Sequence, residues 1–299
     1  MRMLWCVCCF GLLFSHVALA SSSPIGEQLG IRSRAMGGAG RAVSTTNEAL
    51  VLNPAGILQF KRFNLDGDYV HRMNEKEHYV GLSLVDARSR PFAGGVDFHL
   101  GIDPTQGNKS LGYIGSVALA YPVTEDRLMI GSTVRYAFLA PSTLGDLQVN
   151  QFTMDFGLLA RLPYGFSFAA VGYSLVPTKS KRLPLSVGLG IAFNSDDFSP
   201  SATNFSTALS GITVAFDWMM RDLTSVTGFE NQLMTGAEYP AFGIVPLRAG
   251  YTYSLDTREH VVTCGTGFAS NDIGIDGFYE QNLTTLDDRS FGVAVRLLF

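Results

Sequence analysis

The side chains best placed to do chemistry in this sequence are Asp97 and His99, which a β-strand would set on one face as an acid–base pair. A nucleophile for that pair would be a serine on a strained turn, yet no Gly-x-Ser-x-Gly occurs. Ser167 and Ser174 each follow Gly-x but lack the closing glycine. Asp66 and Asp68 form a second same-face pair, far short of the roughly six to eight oxygens that a calcium ion takes. The Gly37-Gly38-Ala39-Gly40 cluster lacks the Gly-Lys-Ser/Thr ending of a phosphate loop. Cys6, Cys8 and Cys9 crowd into the first 20 residues, leaving Cys264 alone, with neither a disulfide nor a CxxC zinc site. No metal, cofactor or enzymatic activity is therefore expected, and His99–Asp97 reads as a wall contact.

Arginines carry more information. Arg135, Arg161, Arg248 and Arg296 all fall on the polar faces of alternating segments. Arg135, Arg161 and Arg248 are candidate ligand-binding groups if one stays free. If instead they pair with Asp66, Asp68, Asp97, Asp155 or Glu238, they hold an interior together.

The elements that must position these residues alternate with period two almost to the last residue. Phe152, Met154, Phe156 and Leu158 oppose Gln151, Thr153 and Asp155; Leu183, Leu185, Val187, Leu189, Ile191 and Phe193 oppose Ser186, Gly188, Gly190 and Ala192. Fourteen such segments are expected to start near Phe63, His78, Phe92, Leu111, Leu128, Gln151, Gly165, Leu183, Thr207, Asn231, Pro246, Val261, Asp272 and Arg289. Many reach the roughly nine to eleven residues of a tilted membrane strand, whereas soluble strands average about five or six. An even count suits a closed antiparallel barrel. The chain is 46% hydrophobic and 16% charged with net charge −4 and no basic block, which excludes an electrostatic nucleic-acid binder. The fold class expected is all-β: a transmembrane antiparallel barrel, apolar outward and polar inward, in contact with the lipid bilayer.

Before the strands, residues 1–20 have the layout of a signal peptide, with Arg2, an apolar run from Met3 to Phe14, and small residues at Ala18 and Ala20. Residues 21–61 do not alternate. They are too few to fold alone and are most simply placed inside the barrel, which occupies 62–299.

The stretch Arg34-Ala35-Met36-Gly37-Gly38-Ala39-Gly40-Arg41-Ala42, then Asn53-Pro54-Ala55-Gly56, and a last strand ending on Phe299 resembles the FadL-type outer-membrane transporters of hydrophobic compounds. The strands around Leu183–Gly190 and Leu247–Tyr251 are similar to the family's shorter PorV-like and spirochaetal FadL-like relatives. The resemblance implies an N-terminal hatch in the lumen carrying Asn53, Pro54 and Ala55, a side gap at a kinked third strand near Gly94 and Gly95, and recognition of Phe299 by the outer-membrane insertion machinery. It implies passive uptake of small hydrophobic molecules such as long-chain fatty acids in the cell outer membrane. The PorV-like relatives imply an alternative, a non-transport partner of exported proteins. The outer loops are shorter than those that hold the fatty-acid transporters' first ligand site.

Overall fold

The computed structural model describes residues 30–88, 91–103, 109–141, 148–178, 182–195, 211–225 and 228–299. The signal-peptide expectation and the expected strand start at Thr207 fall outside them. Fourteen antiparallel strands form a closed barrel. In chain order they are β1 Phe63–Arg72, β2 Glu77–Asp86, β3 Ala93–Asp103, β4 Lys109–Thr124, β5 Leu128–Leu139, β6 Val149–Arg161 and β7 Phe166–Tyr173. Then come β8 Ser186–Asn194, β9 Thr213–Arg221, β10 Glu230–Ala241, β11 Val245–Ser254, β12 His260–Ala269, β13 Ile273–Asn282 and β14 Arg289–Leu298. Each strand pairs with its sequence neighbours, and β1 pairs with β14, so no hydrogen-bonding edge is left for lipid to meet. β1 begins and β14 ends at one rim, here the terminal rim; the other is the far rim.

Alternation sets the two faces. In β5, Met129, Thr133, Arg135, Ala137 and Leu139 point inward and are buried, while Val134 on the opposite face is 49% exposed. Val96 and Phe98 of β3, and Val117 and Leu119 of β4, make the same outward apolar surface. A soluble monomer does not clothe itself this way. Aromatic rings gather at both rims. Phe63–Phe299, Phe92–Tyr121 and Phe166–Phe193 lie at the terminal rim, with ring centres 5.8, 5.3 and 5.2 Å apart. His71–His78, Tyr113–Phe138 and Tyr253–His260 lie at the far rim, at 4.5, 5.2 and 4.9 Å. Two girdles flanking an apolar band are the signature of a membrane barrel.

β9 starts at Thr213, β7 stops short of the expected end at Leu175, and β8 starts late. β8 starts at Ser186, not Leu183. Pro184 has no N–H to give a ladder, and Leu183 is not on the lipid face: it is 1% exposed and packs inside the far rim with Ile114, Ala137, Leu139 and Val149. Arg182 Nη2 donates to Ala140 O at 2.5 Å beside it. β7 ends at Tyr173 because Ser174 turns the chain with φ +51°, its N–H donating to Asp155 Oδ1 at 2.8 Å.

Candidate functional site

Residues 30–60 lie inside the lumen. The segment comprises a helical turn α1 (Ile31–Ala35), a 3-10 turn Thr46–Glu48, a second turn α2 (Ala49–Leu52) and a 3-10 turn Pro54–Gln59. It meets the wall on every side, which only a segment inside the barrel can do. Asn47 bonds Ser83 of β2, Leu50 abuts Gly95 of β3, Arg41 reaches Asp217 of β9, and Ile31 lies against Gly292 of β14. Small residues allow the approach. Gly37 has φ +66°, and an added Cβ would come within 2.5 Å of Tyr251 N. Gly236 and Gly250 face each other across β10–β11, and a side chain on either would collide with Met36 or Gly37.

Asn53, Pro54 and Ala55 form a cap. Asn53 is fully buried; its Oδ1 accepts from Ala55 N at 3.2 Å and Pro54 takes the first turn position, where no N–H is needed. Asn53 Nδ2 donates to Arg41 O at 3.0 Å and to Leu158 O of β6 at 3.3 Å. The cap therefore joins two parts of the segment to the wall.

Charged pairs hold the opposite side. Arg41 Nη1 donates to Asp217 Oδ2 at 2.9 Å, and that oxygen also accepts from Gly40 N and Arg41 N. Arg41 Nε donates to Tyr173 Oη at 2.9 Å, whose hydroxyl donates to Leu52 O. Arg32 bridges Glu48 at 3.0 Å and Glu238 at 2.9 Å. From Glu238 a line of alternating charge runs through Arg248, Asp276 and Arg296 to Asp66, with contacts of 2.5, 2.6, 3.8 and 2.8 Å. Burial alone would lower the pKa of Arg32, but Glu238 and Glu48 outweigh it, so the guanidinium stays above its ordinary value.

The candidate ligand arginines are engaged. Arg248 is shared by Glu238 and Asp276. Arg135 pairs with Asp155 and donates to Val51 O at 3.4 Å. Arg161 sits partly buried at the terminal rim, and it too has interaction partners. Arg161 ends β6, well past Thr153, the register partner of Arg135, and Arg248 stands five strands further round on β11, so the three do not form one site. Arg32, Arg41, Tyr173 and Asp217 do the holding that the sequence reading did not assign. One signal was available: Asp217 is the sole charge in Thr213–Met220, on the face opposite Phe216 and Trp218.

At Gly94 and Gly95, where a gap is expected, the third strand keeps its neighbours. Gly94 and Gly95 pair with Asp86 and Val85 of β2 and with Leu119 and Ala118 of β4, so the ladder is continuous on both edges. The register shift in β3 lies at Gly101/Ile102. A Cβ on Gly95 would come within 2.6 Å of Leu84 O and 2.8 Å of Leu50 Cδ2: the glycine makes room for the segment.

No family model matches the chain, and no curated protein matches it in sequence. Solved structures do. The Ralstonia pickettii toluene transporter TbuX is 14% identical with a TM-score of 0.57, covering 91% of this chain and 98% of its own. The monoaromatic hydrocarbon channel CymD is 16% identical with a TM-score of 0.57, covering 90% and 96%. The P. putida toluene transporter TodX is 16% identical with a TM-score of 0.56, covering 91% and 97%. At such identity the likeness speaks for architecture. The chain shares its fold with these barrels, fourteen antiparallel strands closed around a lumen that residues 30–60 occupy.

Proposed function

We propose that this barrel admits small hydrophobic molecules passively across the outer membrane, with residues 30–60 as the hatch that must shift to let them by. The observation that carries this reading is a lumen occupied by the chain's own residues 30–60, in a fold shared with toluene and monoaromatic hydrocarbon channels. Neutral aromatics fit ahead of fatty acids, because Arg135 and Arg248, which would meet a carboxylate, already have carboxylate partners. Continuous pairing across Gly94 and Gly95 favours a route along the lumen over one through the wall at that point. The test is flux into proteoliposomes containing the purified barrel. Toluene should equilibrate faster than in empty liposomes while glucose does not, and a wild-type barrel that passes glucose or leaves toluene flux unchanged would reject the reading.

A further inference from the structure

Five neighbouring strands carry an inward polar row in register: Asp66, Ser83, Asp97, Ser116 and Arg135. The adjacent row toward the far rim reads Asp68, Gly81, His99, Ile114 and Ala137. The ends of the first row are neutralised, since Asp66 has Arg296 and Arg135 has Asp155. Its middle is not. Asp97 is 5% exposed and neither carboxylate oxygen has a hydrogen-bond partner; its nearest cationic candidate is His99, with Nε2 at 3.4 Å from Oδ2. Beside it across the ladder, Ser116 is 4% exposed and its hydroxyl also lacks a partner. Asn47 gives its Nδ2 to Ser83 at 2.8 Å and leaves Oδ1 unpartnered. Asp68 and His99 meet over Gly81, where an added Cβ would lie 2.7 Å from the His99 ring and 2.8 Å from Asp68 Cγ. Arg34, which acts on Asp68, is shared with Glu280 at 3.8 Å and with the ring of Phe278.

At this middle the Asp97 carboxylate has no donor, and the unpartnered donors nearby, Arg135 Nε and Arg34 Nε, sit at its margins on guanidiniums already shared with Asp155 and Glu280. A buried carboxylate without donors is destabilising unless a cation meets it. Among the described residues no three His, Cys, Asp or Glu side chains are arranged to hold a metal ion, so the cation sought is an organic one. Immediately toward the far rim the lining turns apolar, with Ile114, Leu139 and Leu183 buried together. His99 and Asp68 remain partly exposed, so the row is reached from that side.

We infer that Asp97, Asp68 and Ser116 form a head-group site for a protonated amine whose apolar body lies against Tyr79 and Leu111, the partly buried edge of the Ile114 cluster. A primary ammonium brings three donors and a positive charge to a place that offers carboxylate and hydroxyl oxygens. This inference rests on the transport reading and narrows it: hydrophobic amines are among the molecules the barrel takes up.

The test compares benzylamine with benzyl alcohol, which share a ring and differ in charge, by calorimetry on the intact barrel in detergent at neutral pH. Benzylamine should bind at least about tenfold more tightly. Asp97→Asn should bring the two affinities together, and its fold is checked by the heat-dependent mobility of the barrel on gels. Ser116→Ala, which removes one acceptor and no charge, should weaken benzylamine and spare benzyl alcohol, and it stands in if the first variant does not fold. Equal binding of the two probes by the wild type, or an amine preference untouched by both substitutions, overturns the site. Toluene flux in the same preparation separates the two readings. Flux without amine preference overturns this inference alone, whereas amine preference without flux of any probe supports the site and overturns transport.

Discussion

The wall grips its inner segment differently on its two sides. Along β9–β14 apolar packing of Ile31, Ala35 and Met36 is joined by buried ion pairs: Arg41 with Asp217, and Arg32 with Glu238 in a line that continues to Arg248, Asp276 and Arg296. Along β2–β6 the same segment presents Leu50, Val51 and Ile57 to Val85, Ala93, Ala118 and Ala120, and its carbonyls at Leu50 and Val51 accept from Thr133 and Arg135. Ion pairs in a low-dielectric interior fix geometry sharply but fail badly when one partner goes. Apolar packing is more forgiving of small displacements. The expectation that follows is that β9–β14 anchors the segment and β2–β6 is the side where it yields.

The strongest way to break that contrast is Asp217→Ala. It strands Arg41, which is 2% exposed, and should cost about 3–5 kcal/mol. Urea unfolding in detergent followed by Trp218 fluorescence would measure it, and hydrogen exchange should rise across residues 37–43. Leu50→Ala removes a fully buried side chain from the yielding side and should cost about 2–5 kcal/mol by the same measurement. Its exchange signature should stay within residues 46–60; a rise across 37–43 as well would mean that the two sides move as one. Gly95→Ala sharpens the comparison from the wall side. The new methyl meets Leu84 O and Leu50, so a loss of about 1–3 kcal/mol is expected, with the barrel still closed by heat-dependent gel mobility. Asn53→Ala should be the mildest, at about 1 kcal/mol for the lost cap, and should raise exchange at Ala55 and Gly56 before any global unfolding.

How far the sequence led follows from what alternation encodes. A period of two states which residues share a face, so the start of β1, β5 or β14 was readable from Phe63, Leu128 and Arg289. The apolar partner of a face is not encoded. Leu183 and Val187 read alike, yet Leu183 is buried inside the far rim and Val187 lies on the lipid face of β8. Gly94-Gly95 likewise announces that something comes close; whether a gap or a neighbouring side chain depends on Leu50, which approaches from a segment with no periodicity of its own. The inward arginines were legible as a set. Their partners were not all so, because Arg32 and Arg41 lie far from Glu238 and Asp217 in sequence and only closure of the barrel joins them.

That closure carries a consequence for assembly. Ile31 rests against Gly292, and the seam between β1 and β14 is sealed where Phe63 and Phe299 exchange backbone hydrogen bonds of 3.3 and 2.9 Å. The earliest part of the described chain thus waits for the latest before its contacts exist, the kind of long-range dependence that slows folding. Once the seam shuts, Arg32 and Arg41 are enclosed with their counter-charges, and withdrawal along the axis would have to break both sets of buried ion pairs. The completed barrel is in effect tied around its own beginning. Its lifetime in the membrane should be governed by how often the β1–β14 seam parts, and weakening that one seam should release the inner segment faster than loosening any other strand pair.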